Sequence, residues 1–142
     1  IIADLPDPND FSLGKLYSKE FYFLLRKRLA ADGVLVTQST SPYLSREPFW
    51  IINHTLNEVF PAVVPYSVYV PSFGQWGFNL VANRPIDPTK IKLVVPTRYL
   101  SPEVIPTLFV FDSDTGPVPV ETNHLDNQLL VQSYDRSWEE WN

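Results

Sequence analysis

Short apolar runs typical of buried strands alternate with segments of helical periodicity over the first 82 residues of this chain. The predicted elements are a strand ending at Asp4, a helix from Ser18 to Ala30, a strand from Val34 to Thr37, a helix from about Arg46 to Val59, and two strands from Val63 to Val70 and from Trp76 to Ala82. Strand, helix, strand, helix and a strand pair is the order found in the second half of a doubly wound α/β sheet.

The ends of the two predicted helices carry recognisable signals. Basic residues at positions 26–28 suit the negative end of the first helix, and Gly33 is predicted to follow it as a left-handed terminator. Ser45 is predicted to cap the second helix, with Pro48 tolerated in its first turn. The second helix is predicted to point four apolar side chains inward: Phe49, Ile52, Leu56 and Val59.

The character of the sequence changes after Arg84, where prolines concentrate and periodicity is lost. One short helix is predicted to start at Ser101, followed by Pro102 and Glu103. A last amphipathic turn or two is predicted from Ser133 to Trp141. We therefore divide the chain into a sheet-forming part, residues 1–83, and a proline-rich C-terminal extension, residues 84–142, packed on it.

Composition excludes several classes of site. The net charge of −5 argues against nucleic acid as a partner, and the absence of cysteine rules out disulfides and thiolate chemistry. His54 and His124 show no metal-ligand spacing, so we expect no zinc or haem. The apolar runs are too short to span a bilayer, and the chain, which begins without methionine, reads as part of something longer.

Two carboxylates follow the first predicted strand. Asp4 stands where the strand ends, and Asp7 comes one proline-stiffened turn later. Ligands of open α/β sheets bind beyond the carboxyl ends of the strands, so both acids could face one crevice. The alternative is that aspartate before proline is only a favoured turn residue.

Other polar and aromatic residues could join that crevice. Gln38 ends the second strand and could approach a ligand there, or could satisfy local backbone groups instead. Trp76, with Tyr66 or Tyr69, could form a flat wall for a methylene chain and contact an ammonium through its ring face. Ordinary core packing is the alternative for each of these aromatic residues.

Four motifs resemble the polyamine aminopropyltransferase (spermidine synthase-like) family: DLPDP at 4–8, LYSKEFY at 16–22, DGVLVTQS at 32–39 and PSFGQWGF at 71–78. The resemblance implies the C-terminal half of a Rossmann-like, methyltransferase-type catalytic domain. It also implies transfer of an aminopropyl group from decarboxylated S-adenosylmethionine to a diamine such as putrescine, without a metal. By the same resemblance Asp4 matches the catalytic base, Asp7 the amine anchor, and Gln38, Tyr66 and Trp76 bind substrate.

Residues 84–142 resemble the tail of a bacterial subgroup in which the synthase domain follows transmembrane helices, which implies a parent anchored at the cytoplasmic face. The five glycines form no nucleotide-binding turn, so we expect no cofactor site here and no activity from this piece alone. Two alternatives remain open: a non-catalytic polyamine-binding or regulatory domain, and a methyltransferase-like half-domain. The strand ending at Asp4 should expose an edge through which copies self-associate.

Overall fold

The fold is described from a computed structural model that covers residues 1–139. In chain order the elements are β1 (Ile2–Ala3), α1 (Phe11–Gly14), α2 (Lys19–Arg28), β2 (Val34–Gln38), α3 (Arg46–Asn57), β3 (Ala62–Val70), β4 (Gly74–Ala82), α4 (Val104–Thr107) and α5 (Leu129–Glu139). Two single 3₁₀ turns, Lys15–Tyr17 and Pro88–Lys90, lie between them.

The strands form one mixed sheet in the order β1-β2-β4-β3. β1 runs parallel to β2, whereas β4 is antiparallel to both of its neighbours. The carboxyl ends of β1 and β2, the end of β3 and the start of β4 therefore meet at one edge of the sheet. The predicted α/β class and the strand pair are confirmed, and this edge is where the acidic turn lies.

The first long helix begins as predicted but ends early. The Ser18 hydroxyl accepts a hydrogen bond from the backbone N–H of Phe21 at 3.3 Å and caps α2. The helix ends at Arg28, because Leu29 adopts an extended backbone with ψ of 127°. The prediction for Gly33 is wrong, since Gly74 is the glycine with positive φ in the described part of the chain.

The second long helix confirms the predicted inward face. The predicted inward residues Phe49, Ile52, Leu56 and Val59 are all buried, although α3 ends at Asn57 and Val59 lies just beyond it. Ser45 precedes α3, yet its hydroxyl makes no capping hydrogen bond. That hydroxyl instead accepts a hydrogen bond from Ser137 on α5 at 3.0 Å. Ser45 thus occupies the predicted N-cap position, but a tertiary contact takes the place of the capping hydrogen bond.

The C-terminal extension packs into the same core as the sheet. Leu130 of α5 is fully buried in a cluster that includes Leu35 of β2 and Ile52 of α3. α5 starts four residues before the predicted Ser133, and Trp141 lies outside the described residues. α4 begins at Val104, whose backbone N–H donates to the Ser101 hydroxyl.

The two faces of the sheet differ in cover. Leu35 and Val81 are fully buried on the face that carries α2, α3 and α5, whereas Ile2 and Val34, on the other face, are 84% and 40% exposed. β1 is the outermost strand and pairs with β2 on one side only, so its backbone is unpaired along its other side. None of the helices in residues 1–139 has the length and hydropathy that a bilayer crossing requires.

Candidate functional site

A cleft of about 340 Å³ opens at the sheet edge where β1, β2, β3 and β4 meet. The acidic turn forms one side of it, the end of β2 its floor, and the β3–β4 turn the other side. The residues that line it are Asp4, Leu5, Pro6, Asp7, Gln38, Val70, Phe73 and Trp76. Two carboxylates and one amide thus face three apolar side chains across a cleft that is open to solvent.

The two carboxylates differ in their surroundings. Asp4 directly follows β1 and is exposed, whereas Asp7 is half-buried. The ion pairs of residues 1–139 involve neither acid. Both negative charges therefore lack a cationic partner within the described chain, and a bound cation could supply one.

Asp7 is held by two neutral donors, one on each oxygen. The Gln38 amide Nε2 donates to Asp7 Oδ1 at 2.8 Å, and the Tyr134 hydroxyl donates to Asp7 Oδ2 at 2.9 Å. A carboxylate can accept about four hydrogen bonds, so acceptor positions remain for a ligand. The carboxylate is thus fixed in place without being neutralised.

Tyr17 sets the orientation of the Gln38 amide. Its hydroxyl lies 2.8 Å from Gln38 Oε1 and 2.9 Å from the carbonyl oxygen of Pro6, and can donate its one proton to either. With Oε1 facing a phenol, Nε2 is the amide atom that faces Asp7. Tyr17 is fully buried and Gln38 is 4% exposed, so the hydrogen bonds that orient the Gln38 amide are protected from water.

The two phenols of this network remain protonated donors. Burial, and after it the Asp7 and Asp4 carboxylates, raise the pKa of Tyr17 well above its ordinary value. Burial, followed by the Asp7 carboxylate, raises the pKa of Tyr134 in the same way. Both groups therefore stay neutral at any pH at which the chain would be handled.

The opposite wall of the cleft comes from the β3–β4 hairpin. The ring centroids of Phe73 and Trp76 lie 5.5 Å apart with an interplanar angle of 47°. Gly74 starts β4 with φ of +77°, a conformation that glycine adopts without strain and that places Phe73 at the tip of the turn. Phe73 is 62% exposed, so part of this wall is open to solvent.

The end of β2, which forms the floor of the cleft, is linked to α3 by side-chain hydrogen bonds. After Gln38 the chain turns at Thr40, which has φ of +61°, an unusual conformation for a β-branched residue. The Ser39 hydroxyl accepts a hydrogen bond from Asn79 at 2.9 Å, and Asn79 in turn accepts one from Asn53 of α3 at 2.7 Å. This buried network fixes the end of β2, and with it the position of Gln38.

Four of the five residues predicted from the sequence line the cleft: Asp4, Asp7, Gln38 and Trp76. Tyr66 does not. It stacks on Phe78 at 5.3 Å and packs against Phe109 at 5.9 Å, four cross-strand pairs before Val70 along β3. The sequence interpretation also missed Tyr17, Phe73 and Tyr134. Tyr17 lies in a motif that the family resemblance singled out, whereas nothing in the sequence marks Tyr134.

The spermine/spermidine synthase domain family matches residues 1–90. A polyamine aminopropyltransferase of Leptospira interrogans is 43% identical over 138 residues, which cover 97% of this chain and 28% of that protein. A polyamine aminopropyltransferase of Mycobacterium tuberculosis H37Rv is 39% identical over 141 residues, covering 98% of this chain and 27% of that protein. The chain therefore spans little more than a quarter of the length of these relatives.

Two solved structures share the fold. A spermidine synthase from Thermotoga maritima superposes with a TM-score of 0.59 at 23% identity, covering 68% of this chain and 36% of that one. A spermidine synthase in complex with the transition-state analogue AdoDATO gives a TM-score of 0.58 at 24% identity, with the same coverage. At such identities the likeness establishes the architecture of the sheet and no more.

Proposed function

The chain belongs to the spermine/spermidine synthase domain family, and from that premise we propose that it forms the acceptor-amine side of a polyamine aminopropyltransferase longer than these 142 residues. One observation carries the proposal: two carboxylates without cationic partners share a cleft with an aromatic wall. A diamine has the matching chemistry, since its two ends are cationic and its middle is a methylene chain. Trp76 and Phe73 can cover those methylenes and face an ammonium with their rings.

The two acids take different tasks in this proposal. Asp7, fixed on both oxygens, anchors the ammonium at the far end of the diamine. Asp4, which is exposed at the end of β1, faces the reacting nitrogen and removes its proton. An exposed carboxylate can pass a proton on to solvent, and a fixed one suits anchoring.

The reaction transfers one carbon chain between two heteroatoms. The amine nitrogen forms a bond to the aminopropyl carbon next to the sulfonium of decarboxylated S-adenosylmethionine, the carbon–sulfur bond breaks, and its electron pair remains on sulfur as a neutral thioether. The nitrogen gains a positive charge and releases a proton to Asp4. The nitrogen must attack in its neutral form, since an ammonium has no lone pair. Because an alkylammonium has a pKa of about 10.4 against about 3.9 for an aspartate, Asp4 does not keep the released proton and, being exposed, passes it on to water.

The other substrate has no binding turn in this chain, because its five glycines form no phosphate- or nucleotide-binding fingerprint. We assign the nucleotide side to the rest of the longer protein. Residues 1–83 would then be the C-terminal half of the catalytic domain, and residues 84–142 its extension. The longer protein would work at the cytoplasmic face of a membrane, anchored by upstream helices, which fractionation of cells expressing it can test.

Transfer activity is the direct test, made on the longer protein with decarboxylated S-adenosylmethionine and a series of diamines. Replacing Asp4 with asparagine should lower kcat by about 10²- to 10⁴-fold, the range for a general base. Asp32→Asn, which removes an exposed acid that does not line the cleft, is the matched control and should keep the wild-type rate. An unchanged rate in Asp4→Asn, or the lack of any accepting amine, would refute the assignment.

A binding role without catalysis is the second candidate, favoured by the cleft in which two carboxylates face aromatic side chains. Calorimetry on the 142-residue chain separates the two. Binding of putrescine that Asp7→Asn abolishes, together with an inactive longer protein, would support a polyamine-binding module. The family match offers no support for a methyltransferase half-domain.

A further inference from the structure

The amine anchor receives one of its two hydrogen bonds from the far end of the chain. Tyr134 on α5 donates to Asp7 Oδ2 across 127 residues of sequence. The phenol is 6% exposed and its ring lies 6.0 Å from that of Trp138, so it is a packed side chain with a defined direction.

The position of α5 does not depend on that hydrogen bond. Leu130 is fully buried in the core, the Ser133 hydroxyl donates to Glu47 Oε2 at 2.7 Å, and Ser137 donates to Ser45 at 3.0 Å. α5 also lies so close to α1 that a Cβ at Gly14 would overlap the Val131 side chain. The helix is thus held by its own contacts, and the phenol is presented to Asp7 by a rigid element.

A rigid donor matters because the Asp7 side chain would otherwise rotate. With only the Gln38 amide as partner, the carboxylate could turn its second oxygen toward solvent. The Tyr134 hydroxyl fixes both oxygens and adds no positive charge that would compete with a cationic ligand. Burial and the nearby carboxylate keep the phenol protonated, so it can act only in this neutral, donating form next to Asp7.

We propose that Tyr134 is a positioning residue for the amine anchor, so that the C-terminal extension sets how well the cleft distinguishes a diamine from a monoamine. The inference rests on the proposed role of Asp7. A single ammonium can pair with Asp4 alone, whereas a diamine needs the second carboxylate at a fixed distance and direction. Loss of the Tyr134 hydroxyl therefore weakens the diamine selectively.

Calorimetry with putrescine and with n-butylamine on the full 142-residue chain tests this. Tyr134→Phe keeps the ring and removes only the donor; we expect its Kd for putrescine to rise about three- to tenfold, the cost of ordering one freed side chain. Its Kd for n-butylamine should change less than twofold. Ser133→Ala, which removes a neighbouring contact of α5 without touching Asp7, should leave the ratio of the two Kd values as in the wild type.

The possible results distinguish failure of the proposed Tyr134 role from failure of the proposed Asp7 anchor. If Asp7→Asn abolishes the preference for putrescine while Tyr134→Phe retains it in full, the inference is overturned and the anchor stands. If Asp7→Asn also retains the preference, or the wild type binds neither amine, the anchor itself fails and the inference with it. Equal weakening of both amines in Tyr134→Phe and Ser133→Ala would show a merely structural helix contact and overturn the inference.

Hydrogen exchange gives a second readout on the same variants. If the phenol links the anchor to α5, putrescine should slow amide exchange in residues 129–139 of the wild type and of Ser133→Ala. The slowing should be lost in Tyr134→Phe. Protection that persists without the hydroxyl would mean that the ligand does not act on α5 through Tyr134.

Discussion

Gln38→Glu places a second carboxyl group against Asp7 with almost no change in shape. The wild-type amide nitrogen lies 2.8 Å from Asp7 Oδ1 and the side chain is 4% exposed, so the new group cannot easily escape to water. In its protonated form the carboxyl can still accept from Tyr17 and donate to Asp7. In its ionised form it repels Asp7 at close range.

The loss of folding stability in Gln38→Glu is bounded by two costs: repulsion between the two carboxylates, and protonation of the new one. Two unit charges about 4 Å apart at an effective dielectric constant of about 20 repel by about 4 kcal/mol. The group can avoid this by remaining protonated, at a cost of about 1.36 kcal/mol for each pH unit above its unfolded pKa of about 4.3. That cost is about 1 kcal/mol at pH 5 and about 3.7 kcal/mol at pH 7, so protonation and repulsion give similar limits at neutral pH.

The sign of the pH dependence is therefore fixed. The introduced carboxyl has a raised pKa in the folded state, so the variant has its full stability below about pH 4.3 and loses stability as the pH rises toward the folded pKa. We expect Gln38→Glu to be within about 1 kcal/mol of wild type at pH 5 and about 3–4 kcal/mol less stable at pH 7.

Urea unfolding at pH 5 and pH 7, followed by the fluorescence of the four tryptophans, measures the difference. Gln38→Met is the control, because it removes the same hydrogen bonds without a titrating group, and its penalty should be equal at the two pH values. A penalty for Gln38→Glu that does not grow with pH would mean that the side chain at position 38 does not face Asp7, and would refute the geometry on which the site depends.

Three further predictions concern two glycines that frame the site and the open edge of β1. Gly77→Ala should lower the free energy of unfolding by about 2 kcal/mol, because its Cβ would overlap the Phe49 ring and lie 2.7 Å from the Thr40 carbonyl oxygen, and should lower Tm by about 6–10 °C in a calorimetric scan. Gly74→Ala, which has open space but φ of +77°, should cost about 1 kcal/mol through backbone strain alone; equal losses in the two variants would contradict this. Ile2→Lys should reduce self-association through the β1 edge, where Ile2 is 84% exposed. Light scattering that finds the wild-type chain monomeric from micromolar to millimolar concentration would exclude association through that edge.

Much of the fold could be predicted because its signals are local. The helical spacing of residues 46–59 identified the buried face of α3, and the helical spacing that follows Ser18 located the start of α2. The errors occurred where a tertiary contact replaced a local one. Ser45 has the right residue type for a cap, but its hydroxyl serves α5, which no local pattern can reveal.

The site residues also differ in how far local sequence signals could predict them. Asp4, Asp7 and Gln38 were predictable because strand ends and the family motifs place them at one sheet edge. Tyr66 was predicted to line the cleft, but strand pairing places it opposite Phe78, away from the β3–β4 turn. The distance of a strand residue from the cleft depends on this pairing, which the sequence alone does not show. Tyr134 was invisible because its partner is 127 residues away.

The cleft draws its charge and its apolar surface from different parts of the chain. Both acids follow β1, while Phe73 and Trp76 come from the hairpin of β3 and β4. An insertion or deletion among residues 71–73 would alter the room available for an amine and leave the partners of Asp7 intact. Under the proposed function, exchange of this surface turn would change the preferred length of the amine while Asp4 and Asp7 stay in place.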